Sequence, residues 1–235
     1  MHPDFELKRE AGKLQLYKKD SRDGAICVDF SVGKSAHRLK YGGGKGQLIA
    51  KAVGLKKGGP STSIQPTIID LTAGLGADAF VLASLGCHVT MVERSEIIAA
   101  LLKDGLERAE CEQTVSEIAK RMSLQQMDGV AYLSHLNTPP DICYLDPMYP
   151  HTKKSALPTK EMRLLRELLF DNATPATLST DIDLLNAALK VAKKRVIVKR
   201  PRKAKFISDR EPDFQITGKS TRYDIYLPKS PKSKP

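Results

Sequence analysis

From Thr67 onward, short apolar runs alternate with stretches of helical periodicity, and this alternation constrains the fold more than any other feature of the chain. Strands that alternate with helices build a parallel sheet, because right-handed crossovers place the helices on its faces. Two last apolar runs, at 214–217 and 222–227, are typical of a hairpin. We therefore predict an α/β fold with a doubly wound, mostly parallel sheet and an antiparallel C-terminal hairpin edge. The other predicted strands lie at 67–71, 88–93, 124–127, 142–146 and 195–199, and the predicted helices at 77–85, from 95, and at 112–121, 160–170 and 181–194.

The first 60 residues have a different character. Leu14 and Leu16, and then the apolar residues of 26–30, alternate with polar residues as they do in strands. A basic, glycine-rich segment at 33–46 follows, which we interpret as a loop that contacts a polyanion or covers a bound ligand. We predict a small β-rich N-terminal extension over 1–60 and a second domain over 61–235.

The turn after the first predicted strand of the second domain has the composition of a ligand-binding turn. Gly74 and Gly76 stand where the chain must turn sharply from strand to helix, and ligands of open α/β sheets bind at this end of the strands. Together with Ala79 these glycines also fit the dinucleotide fingerprint, so an NAD-dependent enzyme is one interpretation. Glu93 ends the next strand, where its carboxylate can accept hydrogen bonds from both hydroxyls of a ribose.

Asp70 distinguishes between the two candidate cofactors. A carboxylate just before the glycine turn repels the pyrophosphate of NAD, whereas it attracts the ammonium and sulfonium groups of S-adenosylmethionine. Residues 61–150 hold 5 basic and 12 acidic residues, which agrees with a cationic cofactor. The sequence therefore favours S-adenosylmethionine over NAD.

A second candidate site follows the strand at 142–146, in the segment Asp-Pro-Met-Tyr-Pro. Proline lacks an N–H donor and fixes φ, so the carbonyl of Pro147 is left free and rigidly aimed. The carboxylate of Asp146 and this carbonyl can accept both hydrogens of an exocyclic amino group, while Tyr149 can stack on a planar base. This pattern suits methylation of an amino group on a nucleobase that is flipped out of its stack.

The distribution of charge predicts a nucleic-acid partner. The formal net charge is +11, and it resides in the two flanks, with 13 basic and 6 acidic residues in 1–60 and 20 basic and 9 acidic residues in 151–235. Basic flanks around an acidic centre indicate a polyanion that is held on both sides of a site with different chemistry. The candidate RNA-binding residues are Arg38, Lys40, Lys45, Lys153 and Lys154.

Several other classes of protein are disfavoured. No apolar run approaches the ~18 residues of a membrane span, and the charged N-terminus lacks the apolar core of a signal peptide. The four cysteines are scattered without a Cys-x-x-Cys pair, which argues against a metal site or a disulfide framework. We expect a cytoplasmic protein without a metal; the sequence does not indicate its oligomeric state.

Much of the chain resembles one family of enzymes. The pattern D-x-x-x-G-x-G at 70–76 is similar to that of class I S-adenosylmethionine-dependent methyltransferases, which have a Rossmann-like fold. The segment at 146–149 is a variant of the amino-methylating N/D-P-P-Y/F motif, with Met148 in place of the second proline. From about Glu6, the chain closely resembles the bacterial ribosomal RNA small subunit methyltransferase J family of guanine-N2 methyltransferases. The segments that carry this resemblance are VDF at 28–30, HRLKYGGGKG at 37–46, AKAVG at 50–54, DLTAGLGADAFVLASLGC at 70–87, YLDPMYPHTKKSAL at 144–157, KEMR at 160–163, VKRP at 198–201 and RYDIY at 222–226.

The resemblance implies a set of residues that contact the cofactor. It also implies an RNA substrate, either small-subunit ribosomal RNA or the 30S particle. Other members are expected to have small hydroxyl residues where this chain has Asp128 and Gly129. In this chain Asp128 would instead accept a hydrogen bond from the adenine amino group of the cofactor. Three alternatives remain open: an adenine-N6 methyltransferase acting on DNA or RNA, an NAD-dependent dehydrogenase, and a non-catalytic RNA-binding assembly factor. The cofactor positions implied by the resemblance are Ala77, Asp78, Glu93, Arg94, Asp128, Gly129 and Asp146, beside Asp70, Gly74 and Gly76 of the turn.

Overall fold

The computed structural model describes residues 3–21, 24–33, 44–55, 65–148, 160–170 and 177–228. Within these ranges a hairpin, β1–β2, precedes a seven-stranded sheet with the strand order β5-β4-β3-β6-β7-β9-β8. Strands β3 to β7 run parallel, whereas β9 and β8 are antiparallel, which confirms the predicted fold class. The elements are β1 (Phe5–Glu10), β2 (Lys13–Lys18), a 3-10 turn (Gly44–Gly46), α1 (Leu48–Ala52), β3 (Thr67–Asp70), α2 (Ala77–Ser84), β4 (His88–Glu93), α3 (Glu96–Cys111), α4 (Ser116–Ala119), β5 (Met122–Gln126), α5 (Gly129–Ser134), β6 (Ile142–Leu145), α6 (Lys160–Phe170), α7 (Thr177–Val191), β7 (Arg195–Pro201), β8 (Phe214–Thr217) and β9 (Thr221–Tyr226).

The central strand β6 is apolar throughout because helices cover both faces of the sheet. All four residues of β6 are buried, and successive side chains point to opposite faces. Ile142 and Tyr144 belong to the hydrophobic cluster that includes α2 and α3, whereas Cys143 and Leu145 belong to the cluster that includes α5 and α7. A continuous apolar run is therefore what this position in the sheet requires.

The order of the strands positions the site. The chain proceeds from β3 outward to β4 and β5 on one side, then returns to β6 and β7 on the other. Between β3 and β6 the direction of winding reverses, and ligands of open α/β sheets bind in the crevice at such a reversal. Asp70 and Glu93 are the last residues of β3 and β4, and Asp146 directly follows β6. All three acidic residues therefore face one edge of the sheet.

The N-terminal hairpin packs against α3. Its Phe5 and Leu16, together with Val28 and Phe30 after it, belong to the same hydrophobic cluster as α2 and α3. Gly105 permits this approach, because a Cβ atom on it would overlap the side chain of Val28. These residues bury apolar surface that a two-stranded hairpin alone could not bury. The division into domains at 1–60 and 61–235 stays a prediction.

The strand predicted at 26–30 is wrong. Ile26 makes a single antiparallel bridge to Leu16, and the strand that pairs with β2 is β1, which the sequence analysis missed. The reason lies in Asp29, whose carboxylate accepts from the backbone and hydroxyl of Ser31 and from Lys13 Nζ. These local hydrogen bonds replace the ladder of a strand.

The helix predicted at 112–121 is also wrong in length, since only α4 is helical there. Glu112 has an extended conformation at the end of α3, and its Oε1 accepts from the backbone and hydroxyl of Thr114. Such side-chain hydrogen bonds compete with those of a helix. Smaller shifts affect the strand predicted at 124–127, which is β5, and the helix predicted at 181–194, which is α7.

In the described parts of the chain, no helix has both the length and the apolar character needed to cross a membrane. The same residues contain no group of three or more His, Cys, Asp or Glu side chains that could hold a metal ion. All four cysteines are free thiols.

Candidate active site

The two glycines of the turn after β3 serve different purposes. Both have positive φ, 53° at Gly74 and 75° at Gly76, where side chains are disfavoured. A Cβ atom on Gly76 would lie 2.8 Å from Leu102 Cδ2, so this glycine allows α2 to pack closely. A Cβ atom on Gly74 would have its nearest neighbour, the Thr72 carbonyl, 3.9 Å away. The space beside Gly74 is therefore open to a ligand.

Glu93 holds this turn in place. Its Oε2 accepts from the Gly74 amide at 3.0 Å and its Oε1 from the Ser95 amide at 2.8 Å. Burial raises the pKa of Glu93, although these two amides favour the ionised form. Each oxygen retains a further lone pair, so the carboxylate can still accept from ribose hydroxyls.

Three aspartates and a lysine meet where β3, β6 and β7 end. Lys199 Nζ lies 2.7 Å from Asp78 Oδ2 and 2.7 Å from Asp146 Oδ2, so the ammonium bridges the two carboxylates. The phenol of Tyr144 donates to the same Asp78 oxygen at 2.7 Å. Asp70 is 2% exposed and its Oδ1 accepts from the Thr72 amide at 3.2 Å. The start of α2, the end of β6 and β7 are therefore connected by charged hydrogen bonds.

The proximity of these groups shifts their pKa values. Burial raises the pKa of Asp70 to about 8, and the carboxylates of Asp78 and Asp146 contribute to the increase. Burial alone would lower the pKa of Lys199, but Asp146 and Asp78 outweigh it and raise that pKa above its usual value. Lys199 is therefore a cation, whereas Asp70 holds a proton more readily than an ordinary carboxyl group and ionises more readily when a cation binds beside it.

These groups line one cleft with a volume of about 1220 Å³. Ala77 and Arg94 line the cleft beside Asp70, Gly74, Asp78 and Glu93, and Asp146 and Pro147 form its other side; Gly76 packs behind the lining. Asp128 and Gly129 line it at the start of α5. The Oδ1 atom of Asp128 caps this helix by accepting from the amides of Val130 and Ala131 at 2.9 and 3.0 Å.

Several predicted site residues lie outside the described residues: Tyr149, Arg38, Lys40, Lys153 and Lys154. For Lys45 the structure describes the backbone, in the 3-10 turn, but not the side chain.

Sequence analysis missed Lys199, Phe206 and Asp181 as cleft residues. Lys199 stands within the apolar run of β7 close to its carboxyl end, and a charged residue in that position is a signal that could have indicated it. Asp181 projects from α7, and burial raises its pKa to about 6 despite the opposing charges of Arg200 and Arg94. Nothing in the local sequence of Phe206 or Asp181 indicates that they reach the cleft.

Comparison with known proteins identifies the family. A family model described as a putative SAM-dependent methyltransferase matches residues 2–228. The ribosomal RNA small subunit methyltransferase J of Stutzerimonas stutzeri is 50% identical over 226 residues, which cover 95% of this chain and 83% of that protein. The protein of the same name from Pseudomonas paraeruginosa is 52% identical over 230 residues, covering 97% and 84%. The chain belongs to the ribosomal RNA small subunit methyltransferase J family.

A solved structure agrees with this family assignment. The SAM-dependent methyltransferase of Neisseria gonorrhoeae matches with a TM-score of 0.74 and 36% identity, covering 96% of this chain and 84% of that one. The dehydrogenase interpretation is therefore excluded, and the preference for S-adenosylmethionine is confirmed.

The residues present fit the cofactor that the methyltransferase J family requires. S-adenosylmethionine carries an ammonium and a sulfonium, and the cleft offers the carboxylates of Asp70 and Asp78 on the side of the glycine turn. Its ribose hydroxyls match the free lone pairs of Glu93, and the open space at Gly74 allows the ligand to approach the backbone.

Proposed function

We propose that the protein transfers a methyl group from S-adenosylmethionine to the 2-amino group of a guanine in small-subunit ribosomal RNA. The observation that carries this proposal is the hydrogen bond from the Asp146 amide to Thr72 Oγ1, at 2.6 Å. It joins the segment that follows β6 to the glycine turn, so a carboxylate suited to hold an amino group shares one cleft with the cofactor turn. The relatives from Stutzerimonas and Pseudomonas are named for small-subunit ribosomal RNA, which supports that substrate.

The guanine amine is a weak nucleophile because its lone pair is delocalised into the ring. In the proposed mechanism the Asp146 carboxylate and the Pro147 carbonyl accept the two amino hydrogens and turn the lone pair toward the reacting carbon. Tyr149 stacks on the base, and S-adenosylmethionine, when bound, supplies an electrophilic methyl group on a positively charged sulfur. Positioning of this kind contributes several kcal/mol to lowering the barrier of a displacement.

Lys199 adds an electrostatic element to this mechanism. Its ammonium lies 2.7 Å from Asp146 Oδ2, so it neutralises the carboxylate through one oxygen and leaves the other available to an amino hydrogen. Burial raises the pKa of Asp146, and the charge of Lys199 opposes that rise. In the proposed mechanism Asp146 holds the amino hydrogens during methyl transfer. The proton leaves after the new N–C bond has formed.

The RNA is held by the basic flanks in this proposal. Arg38, Lys40 and Lys45 from the basic N-terminal segment, with Lys153 and Lys154 from the segment after Asp146, contact phosphates of the substrate. The reaction takes place in the cytoplasm, on free ribosomal RNA or on the assembling 30S particle.

Mass mapping of methylated nucleosides tests the proposal. Small-subunit ribosomal RNA from cells with and without the protein should differ by one N2-methylguanine, and the purified protein should restore it with S-adenosylmethionine. Appearance of N6-methyladenine instead would establish the adenine-directed alternative. Normal function after the Gly74–Gly76 turn is destroyed would establish the non-catalytic assembly factor.

Two variants of Asp146 test the chemistry. Asp146→Asn keeps the size and one acceptor oxygen and should retain partial activity, whereas Asp146→Ala should lose about 10²- to 10³-fold in kcat. Both are compared at saturating S-adenosylmethionine, because Asp146 also borders the cofactor side of the cleft. Equal activity of Asp146→Ala and wild type would contradict the proposed role.

A further inference from the structure

Phe206 has an unusual position for an aromatic residue. Its side chain is 37% exposed although it lines the cleft, and the exposed residues Arg202, Lys203 and Lys205 precede it in the chain. An exposed ring interleaved with cations is the composition of a single-stranded nucleic-acid surface, in which bases stack on rings and phosphates meet charges. We call Arg202, Lys203, Lys205 and Phe206 the cleft lip.

Two buried arginines donate hydrogen bonds to the backbone of the cleft lip. Arg222 Nη1 donates to the carbonyls of Arg202 and Ala204 at 2.9 and 2.6 Å, and Arg200 Nη2 donates to the carbonyl of Lys205 at 3.1 Å. Both arginines are 6% exposed. Carbonyls of a short exposed segment are ordinarily left to water, so this arrangement fixes the backbone of the lip.

The support is itself anchored in the sheet. Arg222 makes a bidentate ion pair with Asp224, at 2.9 and 3.1 Å, and Asp224 is fully buried. The guanidinium carbon of Arg222 also lies 5.1 Å from the centre of the Phe206 ring. Burial of such a pair brings little net stability to a fold. Here it fixes the backbone that carries a ring and three cations, which lowers the entropy lost when a ligand binds.

The location of the lip indicates which ligand it meets. The cofactor turn lies at β3 and β4, whereas the lip follows β7, which is separated from β3 by β6. The substrate base must reach Asp146 from the side that the cofactor leaves open. Phe206 therefore lines the part of the cleft that is away from the cofactor turn, next to the end of β7.

We propose that the cleft lip is an RNA-binding surface: Phe206 stacks on an unpaired base of the substrate, and Arg202, Lys203 and Lys205 contact its phosphates. This inference rests on the proposed function, because it identifies a further binding surface for the same substrate. The lip belongs to the basic C-terminal flank, but its residues differ from Lys153 and Lys154, for which phosphate contacts are proposed above.

Three variants test the stacking. Phe206→Ala should raise KM for unmethylated small-subunit ribosomal RNA about 10- to 100-fold, whereas Phe206→Tyr, which keeps a ring, should stay within about 3-fold of wild type. Phe214→Ala is the matched control, since Phe214 is a phenylalanine of β8 that is 42% exposed and does not line the cleft. S-adenosylmethionine affinity, measured by calorimetry, should be the same in all three.

A charge-matched pair of triple variants tests the phosphate contacts. Arg202→Gln, Lys203→Gln and Lys205→Gln together should reduce the log–log salt slope of RNA binding by about 2. The control combines Lys103→Gln, Lys120→Gln and Lys193→Gln, which removes the same charge from exposed lysines elsewhere. The RNA is used free and in the 30S particle, in whichever form the wild type methylates.

The outcomes separate this inference from the function on which it rests. Two results would contradict the proposal for the cleft lip while the wild type still methylates guanine N2. In one, Phe206→Ala keeps the wild-type KM for RNA; in the other, the two triple variants lose the same amount of salt slope. A wild type that does not methylate guanine N2 overturns the proposed function.

Discussion

At the scale of single residues, Lys199 neutralises two carboxylates that would otherwise repel each other in the cleft. Its side chain is 26% exposed, and those of Asp78 and Asp146 are 8% and 40% exposed. The partial exposure of Asp146 and Lys199 reduces the strength of their interaction relative to a fully buried pair.

Replacement of Lys199 should therefore affect stability and catalysis together. Lys199→Met keeps the length without the charge and should lower the free energy of unfolding by about 1–3 kcal/mol at neutral pH. It should also lower kcat at saturating cofactor, because Asp146 loses its orientation. Lys199→Arg, which keeps the charge, should retain most of the wild-type stability and most of the wild-type kcat. Urea denaturation measures the free energy of unfolding, and single-turnover kinetics measure the rate of methyl transfer. An unaltered kcat in a folded Lys199→Met variant would show that Asp146 needs no such partner.

The raised pKa of Asp70 predicts that stability and cofactor affinity depend on pH. Its pKa is raised to about 8 in the folded protein, mainly by burial, from 3.8 in the unfolded chain. Between these values the folded state binds one more proton, so this group makes the free energy of unfolding fall as pH rises from about 4 to about 8. A cationic cofactor favours the ionised form, so its binding should release a proton and strengthen as pH rises toward 8.

Calorimetry in buffers of different ionisation enthalpy measures this proton release. Asp70→Asn keeps the size of the side chain and an acceptor for the Thr72 amide but cannot ionise. Its cofactor affinity should be weaker and should vary less between pH 6 and 8 than that of wild type. The same slope in both proteins would assign the titration to another group, such as Asp181, for which burial raises the pKa to about 6.

At the scale of elements, the contact between the N-terminal hairpin and α3 shapes one wall of the cleft. Asp104 of α3 is 4% exposed; its Oδ2 accepts from the Leu14 amide at 3.1 Å and from Arg108 Nε at 2.9 Å, and its Oδ1 lies 2.7 Å from Arg9 Nη1. Val28 and Phe30, which line the cleft, follow this hairpin. The packing of the hairpin on α3 therefore supports the cofactor side of the site.

Loss of Asp104 should loosen this contact. Asp104→Ala removes the acceptor of the Leu14 amide and one acceptor each of Arg9 and Arg108, which should lower the free energy of unfolding by about 2–4 kcal/mol. Glu107→Ala, on the same helix, removes an exposed ion pair with Lys103 and should cost less than about 0.5 kcal/mol. Chemical denaturation compares the two. Equal losses would mean that the hairpin contributes no more than an exposed surface pair.

At the scale of the whole molecule, charge is divided between an acidic centre and basic flanks. The acidic centre contains the cofactor side of the cleft, with Asp70, Asp78 and Glu93. RNA and cofactor should therefore respond differently to salt, since release of counterions accompanies contacts with phosphate but not the binding of a small zwitterion.

Salt titration tests this separation. Each of Arg38, Lys40, Lys45, Lys153 and Lys154, when replaced by Gln, should reduce the log–log slope of RNA binding by about 0.7–0.9. The affinity for S-adenosylmethionine should change little with these substitutions. An RNA slope that is indifferent to all five would show that the flanks are solvated surface.

The fold class and the position of the cofactor turn follow from the amino-acid sequence alone. Both depend on local patterns: apolar runs alternate with helical stretches over 67–199, and glycines take the positive φ angles of Gly74 and Gly76. Acidic residues at strand ends, such as Asp70 and Asp146, could be assigned to one edge because parallel strands share their carboxyl ends.

The contacts between groups that are distant in the sequence, by contrast, become visible only in the three-dimensional structure. The bridge from Lys199 to Asp78 spans 121 positions, and the contact between Leu14 and Asp104 spans 90. The same is true of the pairing of β2, whose partner is β1 and not residues 26–30. It is also true of the contact between Arg222 and the ring of Phe206. Local propensity carries no information about such pairs, because their energy arises from burial and charge that exist only once the sheet has brought the elements together.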